Sequence, residues 1–194
     1  MFETTTRRRF FGGAATATLG LLMPRSGAGS AALPAAGQEA GPEARLRRLG
    51  IELPPPPQPV ATYVPAVVVG NVLYVAGHTP RLPDGSPGYQ GKVGEDFTVE
   101  QAREAARTAG LNILSTVRST LGSLDRVVRL VRTFGMVNAA PGFTQHPQVI
   151  NGFSDLMVEV FGPSAGKGTR AAVGMGSLPS GMAVEIETFW EVRG

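Results

Sequence analysis

Two stretches of the chain carry apolar residues at helical spacing. The first begins at Thr98, which forms a capping-box pattern with Gln101, and continues to about Leu121. The second covers residues 145–161. Each presents a broad apolar face, so we expect two amphipathic helices that lie on a sheet.

Runs of β-branched and aromatic residues predict the strands of that sheet. We expect the strands at residues 66–69, 72–77, 126–137, 169–178 and 182–192. The turn Gly70-Asn71 predicts a hairpin of the first two strands, and Pro179-Ser180-Gly181 predicts a hairpin of the last two. Two helices that cover one face of a mixed sheet make an α+β fold.

The pattern of the N-terminal residues predicts a targeting signal that is not part of the fold. Arg7, Arg8 and Arg9 precede a short, weakly apolar run and then small residues through Ala36. This pattern resembles a twin-arginine signal peptide, which implies export of the folded protein to the periplasm or the medium. The apolar run is shorter than the roughly 20 residues of a spanning helix, so we expect no stable membrane insertion after processing.

The remaining chain divides into a lead-in and one domain. Residues 1–36 are predicted as the signal peptide and residues 37–60 as a lead-in that contains a short helix from Pro42 and a proline-rich linker. Residues 61–194 are predicted as the folded domain, because 194 residues suffice for one ordinary core.

Charge and composition exclude several function classes. Four of the 18 basic and one of the 15 acidic residues lie in residues 1–32, which leaves 14 of each in the rest of the chain. A neutral domain without a basic stripe argues against a nucleic-acid partner. The chain has no cysteine and two histidines, which excludes disulfides and cysteine nucleophiles and makes a metal site an unfavourable prediction.

Five short segments within residues 60–193 resemble motifs of a known family, because they occur in the same order and with the same spacing as in that family. They are Tyr63-x-x-Ala66-Val67-Val68-Val69-Gly70-Asn71, Val75-Ala76-Gly77-His78-Thr79-Pro80, Val149-Ile150-Asn151, Thr169-Arg170-Ala171-Ala172-Val173 and Leu178-Pro179-x-x-x-x-Val184-Glu185-Ile186-Glu187. The chain therefore resembles the RidA/YjgF family. The resemblance implies a chorismate-mutase-like fold, a homotrimer with sites between subunits, and hydrolysis of small enamines or imines to a 2-oxo acid and ammonia without cofactor or metal.

The resemblance also implies roles for individual residues. Arg170 matches the arginine that binds the substrate carboxylate, and Glu185 matches the acid that positions or activates water. The resemblance places three further residues on the cleft, namely Tyr63, Gly77 and Asn151. Ala172 stands where many members have a cysteine whose backbone carbonyl orients water. Gly168 and Thr169 depart from the histidine and alanine that often precede the arginine.

The residue types suit this chemistry, and simpler interpretations stay open. An arginine pairs with a carboxylate in bidentate fashion, and a partly buried glutamate can move protons near neutral pH. Taken alone, Arg170 is more often a surface or ion-paired arginine, and Glu185 is more simply part of a solvated sheet face. A hairpin centred on Ser180 would set the two residues about 13 Å apart, so a second subunit would have to complete the site.

The alternative function is a trimeric, non-enzymatic module that binds small metabolites or protects other proteins through the same cleft. A ribonuclease is a third hypothesis, which the neutral charge of the domain disfavours. Of the remaining candidates, His78 is predicted to cap a turn. Trp190, Phe189 and Phe153 are predicted to pack in the core or at an interface.

Overall fold

The computed structural model describes residues 41–194, so the predicted signal peptide lies outside the described residues. The described chain forms an α+β fold with one five-stranded mixed sheet, which confirms the predicted fold class. The elements follow the order α1 (Pro42–Leu49), β1 (Ala66–Val69), β2 (Val72–His78), α2 (Val99–Leu121), β3 (Val127–Asn138), α3 (His146–Ala165), β4 (Thr169–Met175) and β5 (Val184–Val192).

Local signals in the sequence define where the two long helices begin and end. The hydroxyl of Thr98 accepts from the backbone N–H of Gln101, and the Gln101 side chain accepts from the N–H of Thr98, which is the predicted capping box. Helix α2 ends at Gly122, which adopts a left-handed conformation. Helix α3 stays regular to Phe161, as expected, and Gly162, with φ 79° and ψ 167°, interrupts it before one further short turn that begins at Pro163.

The two helices lie on one face of the sheet and form the core with it. The apolar side of α2 is built largely of alanines that are fully buried, and Phe153 and Trp190 are also fully buried. These two aromatic residues therefore have the predicted packing role. Small side chains let the helices approach closely, and Gly152 of α3 lies against the backbone carbonyl of Arg103 in α2.

The sheet has the order β1-β2-β5-β3-β4, which confirms the first predicted hairpin and shows that the second is wrong. Strand β4 pairs in parallel with β3, whereas β5 lies antiparallel between β2 and β3. Residues 176–183, which include a short 3-10 turn at Pro179–Gly181, carry the chain from the edge of the sheet to its centre. Burial drives this arrangement, because the alternating apolar residues of β5 are covered only at the centre of the sheet.

The lead-in before the sheet packs on the domain. Helix α1 contacts α3, and the backbone N–H of Leu124 donates to the carboxylate of Glu43 at 3.0 Å. The hydroxyl of Ser115 in α2 donates to the carbonyl of Pro54. Ile51 and Leu53 pack against the core, so the chain is held on the domain up to the start of the proline segment.

The opposite face of the sheet is not covered by either helix. Strand β5 alternates strictly between buried and half-buried residues, which sets Glu185, Glu187 and Phe189 on this open face. Their partners in β3 and β4 follow the same alternation. The open face is largely apolar, with Val67, Tyr74, Phe134, Met136, Ala171 and Val173 beside the two glutamates.

Candidate active site

Glu185 lies on the open face of the sheet, where strand β2 approaches it closely. The pairing of β2 with β5 is irregular between Val75 and His78, and Gly77 lies within this irregular segment. A side chain at Gly77 would overlap the Oε1 atom of Glu185. The carboxylate therefore occupies space that only a glycine leaves open.

A cleft of about 390 Å³ opens in front of this carboxylate. Three of the predicted site residues line it together, namely Tyr63, Gly77 and Glu185. Tyr63 is 47% exposed, so it is a wall of the cleft and not a core residue. Ser180, which holds a left-handed backbone conformation at φ 54°, lines the same cleft. Such strained conformations are concentrated at functional sites.

The electrostatic setting of Glu185 favours its protonated form. Burial raises the pKa of the Glu185 carboxyl above its ordinary value, and the negative charge of Glu187 on the same face raises this pKa further. A carboxyl with a raised pKa keeps its proton to a higher pH than an ordinary carboxyl, which suits a group that both accepts and donates a proton. The carboxyl group thus has the environment of an acid–base group.

Arg170 belongs to a second group of polar residues, on the helix-covered side of edge strand β4. Its Nη1 donates to Oδ1 of Asn151 at 2.9 Å and to Oγ of Ser154 at 3.0 Å, both in α3. The two acceptors stand one helical turn apart, so they hold the guanidinium from one side. The side chain of Arg170 is exposed, which leaves its other N–H groups able to bind an anion.

The predicted site residues thus fall into two groups within one chain. Arg170 and Thr188 both pair with Thr133 of β3, which places them at the same level on the helix-covered side. Glu185 is three residues from Thr188, two strands away from Arg170 and on the opposite face. The Cα atoms of Arg170 and Glu185 are therefore about 14 Å apart, because they are separated by about 10 Å along the strands and about 9.6 Å across them. The predicted hairpin register was wrong, whereas the expected separation of the two residues persists.

Ala172 lies with the second group, two residues after Arg170, and is half-buried against the core.

His78 has a different position from the predicted turn cap. Its Nδ1 lies 2.7 Å from the carbonyl of Ala76, and its Nε2 lies 2.8 Å from Oγ1 of Thr116 in α2. Burial lowers the pKa of His78, so the ring is a neutral part of the core at neutral pH. Phe189 lies on the open face and contacts the ring of Tyr74.

Sequence reasoning missed three residues at these sites. Ser154 could have been found from its spacing of three residues from Asn151, which places both on one face of a helix. Arg81 and Gln58 line the cleft, but both come from irregular segments whose position no periodicity predicts. Their placement depends on the tertiary fold alone.

Residues 41–194 contain no cluster of three or more histidine and acidic side chains arranged to hold a metal ion. None of the helices in this part of the chain has the length and apolar character that crossing a bilayer requires.

The fold and the two residue groups define an α+β domain of the chorismate-mutase-like class. Residues 43–187 match the family model described as "YjgF/chorismate_mutase-like, putative endoribonuclease". The chain belongs to this YjgF family.

Individual relatives support this assignment. "Protein TCP17" of Trypanosoma cruzi is 41% identical over 150 residues, which are 77% of this chain and 93% of that protein. The crystal structure of Atu1372 from Agrobacterium tumefaciens, described as of unknown function, is 39% identical with a TM-score of 0.71, over 78% of this chain and 94% of that one. A structure from Shewanella oneidensis, described as a "putative endoribonuclease", is 32% identical with a TM-score of 0.75, over 79% and 100%.

A structure that carries the RidA name is less similar. RidA from the Antarctic bacterium Psychrobacter is 25% identical with a TM-score of 0.51, over 71% of this chain and 94% of that one. The chain therefore shares the family fold with RidA and is closer in structure to the Agrobacterium and Shewanella proteins.

Proposed function

We propose that the protein hydrolyses small imines and enamines that carry a carboxylate, and that it releases a 2-oxo acid and ammonia. The observation that carries the proposal is the pair of complementary groups: a half-buried carboxyl that faces a cleft, and an arginine held by two acceptors with its remaining donors exposed. The first supplies acid–base chemistry, and the second binds the substrate anion.

A second copy of the chain completes the site in this proposal, in the homotrimer that the family resemblance implies. Within one chain, Arg170 and Glu185 lie on opposite faces of the sheet, so they cannot bind one small molecule together. The open face carries a contiguous set of apolar side chains, and Val67 and Tyr74 are 48% and 39% exposed. A partner subunit that covers this face would remove them from water and bring its own Arg170 towards the cleft.

The chemistry requires an anchor, a water molecule and a route for protons. The arginine holds the carboxylate of the imine, so that the imine carbon faces Glu185. Glu185 accepts a proton from water as the water oxygen bonds to that carbon, and it returns the proton to nitrogen, which gives a carbinolamine. Glu185 then moves the hydroxyl proton of the carbinolamine to the nitrogen, the C–N bond breaks as the C=O bond forms, and ammonia leaves. No side-chain nucleophile takes part, which suits a chain without cysteine.

The test generates imines in place with an amino-acid oxidase and follows their trapping by semicarbazide. An active protein consumes the imine first and slows the formation of the semicarbazone. We expect Arg170→Ala and Glu185→Gln each to abolish this effect. The matched controls are Arg107→Ala, on the helical surface in an ion pair with Glu159, and Glu191→Gln, on the same strand and face as Glu185. Activity that survives both site substitutions would refute the proposal.

The second candidate is a module that binds small metabolites in the same cleft without converting them. This chain is structurally more similar to the Agrobacterium protein, which is described as of unknown function, than to the RidA structure. This difference favours the second candidate. Retained binding of a 2-oxo acid, with no hydrolysis across imines from small and bulky amino acids, would identify such a module.

We further propose that the protein is exported by the twin-arginine route, on the basis of Arg7, Arg8 and the apolar run that follows them. A reporter fused behind residues 1–40 is expected to leave the cytoplasm. The export should stop when Arg7 and Arg8 are both changed to lysine. Continued export of that variant would contradict the proposal.

A further inference from the structure

The cleft in front of Glu185 is larger than a three-carbon imine requires. It encloses about 390 Å³, which lies in the range of about 300–1,000 Å³ that holds a drug-sized ligand. A second depression of about 400 Å³ adjoins it, and residues 57–60 and Arg81 line both. The space therefore extends from the carboxyl of Glu185 along the proline segment towards Arg81.

The backbone at Arg81 is held in place by a buried side chain. Asn112 of α2 is 1% exposed, and its Nδ2 donates to the carbonyls of Thr79 at 3.3 Å and of Arg81 at 3.0 Å. A bridge to Pro87 closes the loop on its other side. Because the buried amide of Asn112 bonds to the backbone of this segment, it fixes the backbone of Arg81 at the wall of the cleft.

The guanidinium of Arg81 has no anionic partner within residues 41–194. Its Nη1 donates to the carbonyl of Gly85 at 3.1 Å, which leaves most of its donors unused. Asp84, the acidic residue of the same loop, is turned towards Ser86, whose N–H and hydroxyl donate to it at 2.9 and 2.6 Å. The cleft thus has a positioned cation at the end away from Glu185.

We propose that Arg81 determines specificity by binding a second carboxylate, on the side chain of the substrate. The substrates would then be dicarboxylic 2-imino acids, with one carboxylate on Arg170 of a second copy and the other on Arg81. This inference rests on the proposed function. The side-chain carboxylate takes no part in the reaction, in which water adds to the imine carbon and ammonia leaves.

The test compares two imines on the intact protein and on Arg81→Met, which keeps the apolar stem and removes the charge. Glutamate oxidase supplies 2-iminoglutarate, and a leucine-oxidising enzyme supplies the imine of leucine. We expect kcat/KM for 2-iminoglutarate to fall about 10- to 100-fold, as for loss of a charge-assisted hydrogen-bonded pair. The value for the leucine imine should change less than about twofold. Arg107→Met is the matched control and should change neither.

A binding measurement separates this inference from the proposed function. Calorimetry with the stable products compares 2-oxoglutarate with 4-methyl-2-oxopentanoate. Tighter binding of 2-oxoglutarate that depends on Arg81 supports the inference even if no imine is hydrolysed, in which case only the proposed function fails. If Arg81→Met hydrolyses both imines as fast as the intact protein does, or more slowly by the same factor for both, the inference is overturned and the proposed function is retained.

Discussion

The division of the site residues between two faces of the sheet leads to a quantitative prediction on mixed assemblies. Arg170→Ala keeps the carboxyl group of Glu185, and Glu185→Gln keeps the guanidinium of Arg170. In the proposed intersubunit site, each variant alone lacks one half of every site. Because the Cα atoms of Arg170 and Glu185 are about 14 Å apart on opposite faces, a complete site would form only where the intact half of one variant meets the intact half of the other.

In the proposed trimer, the activity that mixing restores follows from the number of intact interfaces. Each interface of that trimer would take its arginine half from one subunit and its carboxyl half from the next. In an equal mixture that assembles at random, about one quarter of the interfaces are intact, so about 25% of the wild-type activity should return. A three-to-one mixture should recover about 19%, whichever variant is in excess. A site contained in one chain predicts no recovery at any ratio.

The assay unfolds the two variants in guanidinium chloride, refolds them together and follows imine hydrolysis by semicarbazide trapping. Native mass spectrometry of differently tagged chains establishes that mixed trimers have formed. Arg170→Ala refolded with the double variant Arg170→Ala/Glu185→Gln is the control and should stay inactive. Mixed trimers without activity, beside an active wild type refolded in the same way, would refute the intersubunit site.

Four further substitutions test the local geometry. Gly77→Ala should lower kcat/KM more than tenfold and leave the melting temperature nearly unchanged, because the new methyl group displaces only the flexible end of Glu185. Gly152→Ala should cost at least about 2 kcal/mol in urea unfolding, because its methyl group would meet the backbone of α2. Glu187→Gln should lower the pKa of Glu185 and move the acid limb of the kcat/KM profile to lower pH, since the charge of Glu187 raises that pKa; an unchanged profile would contradict this cause. Burial lowers the pKa of His78 from 6.5, so below about pH 6.5 the unfolded state binds the extra proton and the wild type should lose stability by up to about 1.4 kcal/mol per pH unit. His78→Gln should lack this loss in urea unfolding at pH 5–7.

Local patterns were sufficient for most of the secondary structure. The capping box at Thr98 and Gln101 predicted the start of α2, because its hydrogen bonds join residues three apart in the chain. The alternation in β5 likewise predicted that Glu185 and Glu187 share one face. The regular part of α3 ends at Phe161 as predicted, because the glycine and proline that follow interrupt the helix.

The partners of the strands were not contained in these local patterns. The turn at Pro179–Gly181 suggested a hairpin, yet β4 pairs with β3 and β5 enters the centre of the sheet. A turn motif describes only its own residues, whereas strand order depends on which surfaces the whole chain can bury. The position of Arg81 depends in the same way on a buried side chain from a distant helix, Asn112.

The sequence by itself therefore determined the family, the fold class and the residue types of the candidate site, because these depend on periodicity and on short motifs. Only the tertiary structure decided that Glu185 lies in a cleft with Tyr63 and Gly77, and that Arg170 is held by Asn151 on the other side of the sheet. Side chains that are distant in the chain meet through strand order and helix packing, and these follow from burial of the whole core and not from any local pattern.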